Sequence, residues 1–204
     1  RKLRKLVNKR NSRISMINKT PKLRIIGGDY KGRTLTFIST KNLRPTGHRI
    51  KETLFNWLMK DIEGSKCLDL FAGTGSLGIE ALSRKAEYVS FIEKDKSIFI
   101  KLNDNINLLN LTDRSKTHLA NGLSWLTSNA NKKLNFNIIF IDPPFGLGLI
   151  EKVYLIMQKK KILKKGCLIY IEAEKEINLK KICAEWKEIK QANSNRTSYS
   201  LFVS

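Results

Sequence analysis

Acidic residues are scarce in this chain: 18 Asp and Glu stand against 39 Lys and Arg, a formal net charge of +21 over 204 residues. A surface so poor in negative charge has little to repel a polyanion, and nucleic acid is the expected partner, well ahead of a membrane surface. Cysteine is nearly absent as well. Cys67, Cys167 and Cys183 show neither the paired spacing of a zinc site nor a redox motif. Cys67 and Cys167 lie in apolar, strand-like runs, where a thiol behaves as a small hydrophobe. The odd count and the lack of a secretory signal point to a reducing compartment, and a cytoplasmic protein is expected. The two histidines, His48 and His118, stand apart from any Cys or His partner, so no metal site is expected. No apolar run is long enough to span a bilayer. With 41% hydrophobic residues, the chain can still bury a core without disulfides or metals.

Three segments follow from composition and periodicity. Residues 1–22 carry nine basic residues and no acidic one, and read as a basic extension. Its first 15 residues fit an RNA-binding arm, an organellar targeting segment, or residues upstream of a start at Met16. Residues 23–60 hold two β-rich runs around Gly27, Gly28 and Gly32, a basic hairpin, then a helix with Ile50, Leu54, Phe55 and Leu58 on one face. Residues 61–204 alternate strand and helix. Strands are predicted at Lys66–Phe71, Tyr88–Glu93, Lys116–Leu119, Phe136–Asp142 and Gly166–Ala173, and helices at about 76–84, 95–109, 122–130 and 149–162. Such alternation predicts βαβ units and a parallel sheet. Trp186–Gln191 and Tyr199–Val203, joined by a turn-rich segment, predict an antiparallel pair closing one edge.

Residues 69–78, DLFAGTGSLG, follow an apolar strand and open a helix. Gly73, Gly75 and Gly78 match G-x-G-x-x-G, and Glu93 follows about 20 residues on, at the end of the next strand. A dinucleotide fold is therefore a serious rival. Asp69 tilts the reading, because a carboxylate four residues before Gly73 suits an ammonium group and is badly placed against a pyrophosphate. S-adenosylmethionine has the first and lacks the second. Glu93 would accept hydrogen bonds from the ribose hydroxyls.

The fourth strand ends in Asp142-Pro143-Pro144-Phe145. An exocyclic purine amine is a poor nucleophile, because its lone pair is delocalised into the ring. Acceptors around the NH2 draw it towards a tetrahedral geometry, and the Asp142 carboxylate and Pro143 carbonyl are such acceptors. Two successive prolines fix φ and hold that carbonyl still. Phe145 offers a flat face for an extruded base. The same motif serves an adenine-N6 DNA or RNA methyltransferase, which is the alternative enzyme. A non-catalytic rRNA-binding assembly factor would need neither Asp142 nor the glycine loop.

The runs RIIGG…KGR, LRPT…R…KETLFNWL, CLDLFAGTGSLGIEALSR and FIDPPF resemble the RsmD-type 16S ribosomal RNA guanine-N2 methyltransferases over roughly residues 23 to 204. The resemblance implies a class I methyltransferase fold, an α/β domain whose seven-stranded sheet has one antiparallel strand. It implies methylation of the exocyclic N2 of one guanine in 16S rRNA, in an assembling small subunit, by a monomer using S-adenosylmethionine. Residue by residue, it implies that Asp69, Phe71, Ala72, Gly73 and Gly75 form the cofactor loop and that Glu93 holds the ribose. Asn121 and Gly122 would lie beside the adenine, and Asp142, Pro143, Pro144 and Phe145 would be catalytic. Arg44, Thr46 and Arg49 would close over the methionine end of the cofactor. Arg24, Lys31 and Arg33, together with Arg44, would touch RNA. Gly47-His48 departs from a more typical Thr-Asp at that place, and residues 1–15 extend beyond the usual start.

Overall fold

The computed structural model describes residues 21–38, 46–129 and 134–204. Its nine strands are β1 (Lys22–Arg24), β2 (Thr34–Thr36), β3 (Lys66–Asp69), β4 (Tyr88–Glu93), β5 (Ser115–Leu119), β6 (Ile138–Ile141), β7 (Leu168–Glu174), β8 (Lys187–Asn193) and β9 (Thr197–Val203). Among the described residues six α-helices accompany them: α1 (His48–Trp57), α2 (Ser76–Ser83), α3 (Lys96–Leu108), α4 (Gly122–Ser128), α5 (Leu149–Lys160) and α6 (Leu179–Ile182). β1 and β2 pair as an antiparallel hairpin, and the other seven strands form one sheet in the order β5-β4-β3-β6-β7-β9-β8. Only β9 runs antiparallel to its neighbours, which is the seven-stranded, one-antiparallel arrangement expected. The antiparallel pair closes one edge of the sheet, as expected. β9 does not form the edge; it inserts between β7 and β8, burying six of its seven residues. β8 is left at the edge, mostly exposed, with lysines and a bulge between Glu188 and Lys190, features that discourage further strand pairing.

Alternation along the strands divides the core between two layers. Cys67, Val89, Phe91, Ile138, Phe140, Tyr170, Tyr199 and Leu201 face one way and pack with Leu54, Phe55 and Leu58 of the α1 region, with α2 and α3, and with Ile25 and Leu35 of the hairpin. Leu68, Leu70, Ile92, Ile139, Ile141, Ile169, Ile171 and Phe202 face the other way, against Leu126, Ile150, Val153, Met157 and Leu179. The hairpin and α1 therefore share one core with the sheet. The three cysteines are buried, and burial pushes each thiol up to about 12, in keeping with their reading as hydrophobes. Among the described residues, no helix is long and apolar enough to cross a membrane.

The hairpin arms are shorter than the sequence pattern suggests, because Gly27 to Gly32 are spent on turns that dock on the end of α2. Asp29 N–H donates to the Ser83 carbonyl at 2.8 Å, and Tyr30 N–H donates to Ser83 Oγ at 3.0 Å. Gly28 has φ +73°, and a Cβ there would lie 1.8 Å from the Ser83 carbonyl oxygen. No other residue fits that approach.

Beneath the hairpin lies a buried ionic cluster. Glu80 on α2 accepts from Ile26 N–H at 2.9 Å and from Arg84 Nε at 2.9 Å, and its Oε2 lies 3.7 Å from Lys51 Nζ. Lys51 on α1 donates to the Arg24 carbonyl at 2.9 Å, and burial lowers its pKa against the opposing pull of Glu80. The Arg84 guanidinium sits 5.0 Å from the centroid of the Phe55 ring, a cation–π contact. These charges tie hairpin, α1 and α2 together.

Candidate active site

Four carboxylates stand in a row at the carboxyl end of the sheet, where open α/β sheets bind ligands. Asp69 pairs in register with Phe91 and Phe140, and Ile141 pairs with Ile171. Counting in twos from those pairs puts Glu93, Asp69, Asp142 and Glu172 on the same face of β4, β3, β6 and β7. The sequence pointed to the first three. Glu172 was missed, although the alternation in Leu168–Glu174 that buries Tyr170 places this carboxylate on the same face two residues on.

The glycine loop is held from both sides. Glu93 Oε2 accepts from Gly73 N–H at 2.8 Å and Oε1 accepts from Asp95 N–H at 2.7 Å, which fixes the carboxylate while each oxygen keeps a second lone pair. Asp69 is buried and accepts from Gly78 N–H at 3.1 Å. Gly75 caps α2 with φ +76°. A Cβ on Gly78 would meet the Phe91 ring at 2.2 Å, so this glycine lets helix and strand close together. Ala72 is buried and donates to the Ile92 carbonyl, and Phe71 is half-buried. Asn121 is exposed and its Oδ1 caps α4, accepting from Leu123 and Ser124 N–H. A Cβ on Gly122 would come within 2.8 Å of the Leu70 carbonyl and 3.0 Å of the Phe71 ring.

Whether these residues suit S-adenosylmethionine is tested by the donor set. Asp69 and Glu93 are acceptors suited to an ammonium and to ribose hydroxyls, and residues 69–78 contain no cation to meet a pyrophosphate. Ser76 Oγ, in the first turn of α2, is a buried polar side-chain atom without a hydrogen-bond partner among the described residues, and such groups normally have one. The fit is good.

Asp142 follows β6 directly. Thr46 Oγ1 donates to its Oδ2 at 3.1 Å, so the structure places Thr46 against the Asp142-Pro143-Pro144-Phe145 motif. Arg49 lies exposed in the first turn of α1, and Arg44 is outside the described residues. Pro143 is buried and Pro144 half-buried, with trans peptide bonds. Phe145 is 46% exposed and Leu147 53% exposed, an uncovered apolar pair at the mouth of the site. Gly146 N–H donates to Glu174 at the end of β7, pinning the loop that carries them. On the hairpin, Arg24, Lys31 and Arg33 are exposed, and Arg33 lies 5.3 Å from the Tyr30 ring centroid.

Burial raises three of the four carboxyls. Asp69 rises to about 7, through burial against the opposing Gly78 bond and then the charges of Asp142 and Glu93. Asp142 rises to about 6 through burial, opposed by Thr46. Glu172 rises to about 8 through burial and then the charge of Asp142. Raised values make stability fall with pH. Below about pH 4 these groups are protonated in both states. As the pH climbs, the unfolded chain releases protons that the folded chain keeps, and the stabilisation is lost by the time the folded values are passed. The variant Asp142→Asn/Glu172→Gln is therefore expected to gain thermal stability relative to the cofactor-free parent between about pH 5 and 8.5. Melting curves at constant ionic strength check this, and a constant difference would contradict it.

The family model described as conserved hypothetical protein 95 matches residues 23–203. The ribosomal RNA small subunit methyltransferase D of Buchnera aphidicola subsp. Acyrthosiphon pisum is 41% identical over 189 residues, covering 93% of this chain and 97% of that protein. The solved Escherichia coli protein yhhF is 36% identical with a TM-score of 0.79, covering 89% of this chain and 97% of that one. A Thermus thermophilus 16S rRNA N2 methyltransferase solved with AdoMet and guanosine shares the fold at 19% identity and a TM-score of 0.65, covering 88% of this chain and 49% of that one. Matched by that model over nearly all its described length, and by methyltransferase D across almost the whole of both chains, this protein belongs to the conserved hypothetical protein 95 family, with the small-subunit ribosomal RNA methyltransferases D among its relatives.

Proposed function

We propose that this chain methylates the exocyclic N2 of one guanine in 16S rRNA, using S-adenosylmethionine, and that it does so as a monomer on an assembling small ribosomal subunit. The observation that carries the reading is the carboxylate row, with a cofactor-type loop over β3 and β4 and Asp142-Pro143-Pro144-Phe145 one strand further on. When bound, S-adenosylmethionine supplies a methyl group made electrophilic by a sulfonium. Glu93 would hold the ribose, Asp69 would face the cationic end of the cofactor, and Ser76 Oγ would find the partner it lacks.

The chain's own residues do the rest. Thr46 occupies one lone pair of Asp142 Oδ2 and orients the carboxylate. Asp142 and the Pro143 carbonyl accept from the amine and favour its tetrahedral form, a dipole arrangement set before reaction. The amine nitrogen gains a methyl and must lose a proton. Asp142, raised to about 6, is a better proton acceptor than an ordinary aspartate. Phe145 offers its exposed ring to the flipped base. Arg24, Lys31 and Arg33 present charge to the RNA backbone from a hairpin rigidly docked on α2. Residues 23–60 thus act as the RNA-facing part and residues 61–204 as the catalytic part.

Incubating the protein and cofactor with small-subunit particles from cells lacking its gene tests the reading. Digestion and nucleoside mass spectrometry are expected to find one added N2-methylguanosine per 16S rRNA. N6-methyladenosine instead would favour the adenine chemistry, and no added methyl group would remove the enzymatic reading.

A further inference from the structure

An Asp-Pro-Pro-Phe loop serves an amino group on either purine, so Asp142 alone does not choose between guanine and adenine. Glu172 lies one strand beyond it, on the side away from the glycine loop. Because Ile141 pairs with Ile171, the next residues along, Asp142 and Glu172, stand side by side at about one strand spacing, ~4.8 Å. Glu172 is 6% exposed. Its one side-chain hydrogen bond among the described residues comes from the Tyr170 hydroxyl to Oε2, at 3.1 Å, and no cation among them pairs with it. The groups on its own face of the sheet are Tyr170 and Glu174 of β7, Asp142 of β6 and Tyr199 of β9, none of them basic. A buried carboxyl so poorly partnered costs stability. A donor arriving with the substrate would relieve that cost.

Guanine brings such a donor. Its N2 amine is flanked on the same edge by N1–H, whereas the N6 amine of adenine is flanked by the N1 lone pair. We propose that Glu172 accepts the N1–H of the target guanine while Asp142 accepts from the N2 amine, so that the two carboxyls together select guanine. This rests on the reading that the target amine lies at Asp142. A base whose ring nitrogen beside the amine carries a lone pair would set that lone pair against a buried carboxylate oxygen.

The test uses small-subunit particles reconstituted with 16S rRNA in which a ligated synthetic segment carries either guanine or 2-aminopurine at the methylated position. 2-Aminopurine keeps the N2 amine and replaces N1–H by a lone pair. Single-turnover methylation is measured with cofactor saturating at about pH 8.5, above the value of about 8 to which burial and Asp142 push Glu172. The parent protein is expected to methylate the guanine RNA about 100-fold faster than the 2-aminopurine RNA. Glu172→Gln, whose amide can turn either its oxygen or its NH2 to the base, is expected to narrow the ratio to about tenfold or less, with cofactor affinity unchanged. Tyr170→Phe keeps the carboxylate and should keep the parent ratio. A Glu172→Gln ratio still near 100-fold, or a parent protein indifferent to the two RNAs, overturns the selecting role and leaves the placement of the amine at Asp142 standing. A parent protein that methylates neither RNA takes down the placement and this proposal together.

Discussion

Replacing Asp142 with alanine is expected to slow a single methyl transfer about 10²–10³-fold, roughly 3–4 kcal/mol, by analogy with removing one preorganised dipole from an oxyanion hole. Cofactor affinity should barely change, because the proposed role of this carboxylate is to touch the amine and the loop proposed to hold the cofactor lies over β3 and β4. The bond should strengthen as the amine nitrogen becomes tetrahedral and cationic, so the loss falls on the transition state. Asp142→Asn keeps an acceptor oxygen and the Thr46 contact in suitable geometry, and should be milder. It also removes the proton acceptor, so its residual rate should lose the acid limb expected near pH 6. Rapid-quench kinetics with RNA and cofactor saturating, beside calorimetric cofactor titration, make the comparison. A parental rate in Asp142→Ala would reduce the motif to a proline turn.

A second large effect is expected far from the reacting amine. Glu80→Ala leaves Lys51, buried with its side chain 2% exposed, without its counter-charge, and deprives Ile26 N–H of its acceptor. Breaking one half of a buried pair costs about 3–5 kcal/mol. In a domain of this size that corresponds to a fall of about 10 °C in melting temperature. Calorimetric melting of the parent, Glu80→Ala, and Lys51→Met/Glu80→Leu checks the cause. Apolar replacement of both partners should recover much of the loss. A double variant no more stable than the single one would mean that the bonds of Glu80 to Ile26 and Arg84 matter more than Lys51. Because the cluster seats the hairpin, Glu80→Ala should also weaken RNA binding through the displaced Arg24, Lys31 and Arg33.

What could be read from the sequence was whatever leaves a local mark. Apolar runs spaced by helix lengths gave the parallel strands, and acidic residues ending such runs marked Asp69, Glu93 and Asp142. Boundaries were less legible. The fourth strand was expected over Phe136–Asp142 and spans Ile138–Ile141, because pairing with β3 and β7 ends there. The Lys51–Glu80–Arg84 cluster left no such mark, since Lys51 and Glu80 are 29 positions apart and look like ordinary charges on two helices. Glu172 was hidden in a run of apolar residues, and its neighbour became visible only through strand order. The four-residue helix α6 is too short to carry a period.

The position of β9 bears on how the molecule is made. The last of the described strands lies in the interior of the sheet, with Tyr199 in register beside Glu172. Until residues 197–203 have emerged from the ribosome, β7 presents an unpaired apolar edge and β8 has nothing to pair with. The nascent chain can therefore complete the glycine loop early, since β3, β4 and β6 all precede β9, but not the floor behind Asp142. An edge left unpaired in the meantime is open to wrong partners. Cofactor binding should thus precede catalytic competence during synthesis, with the interval set by the docking of a single strand.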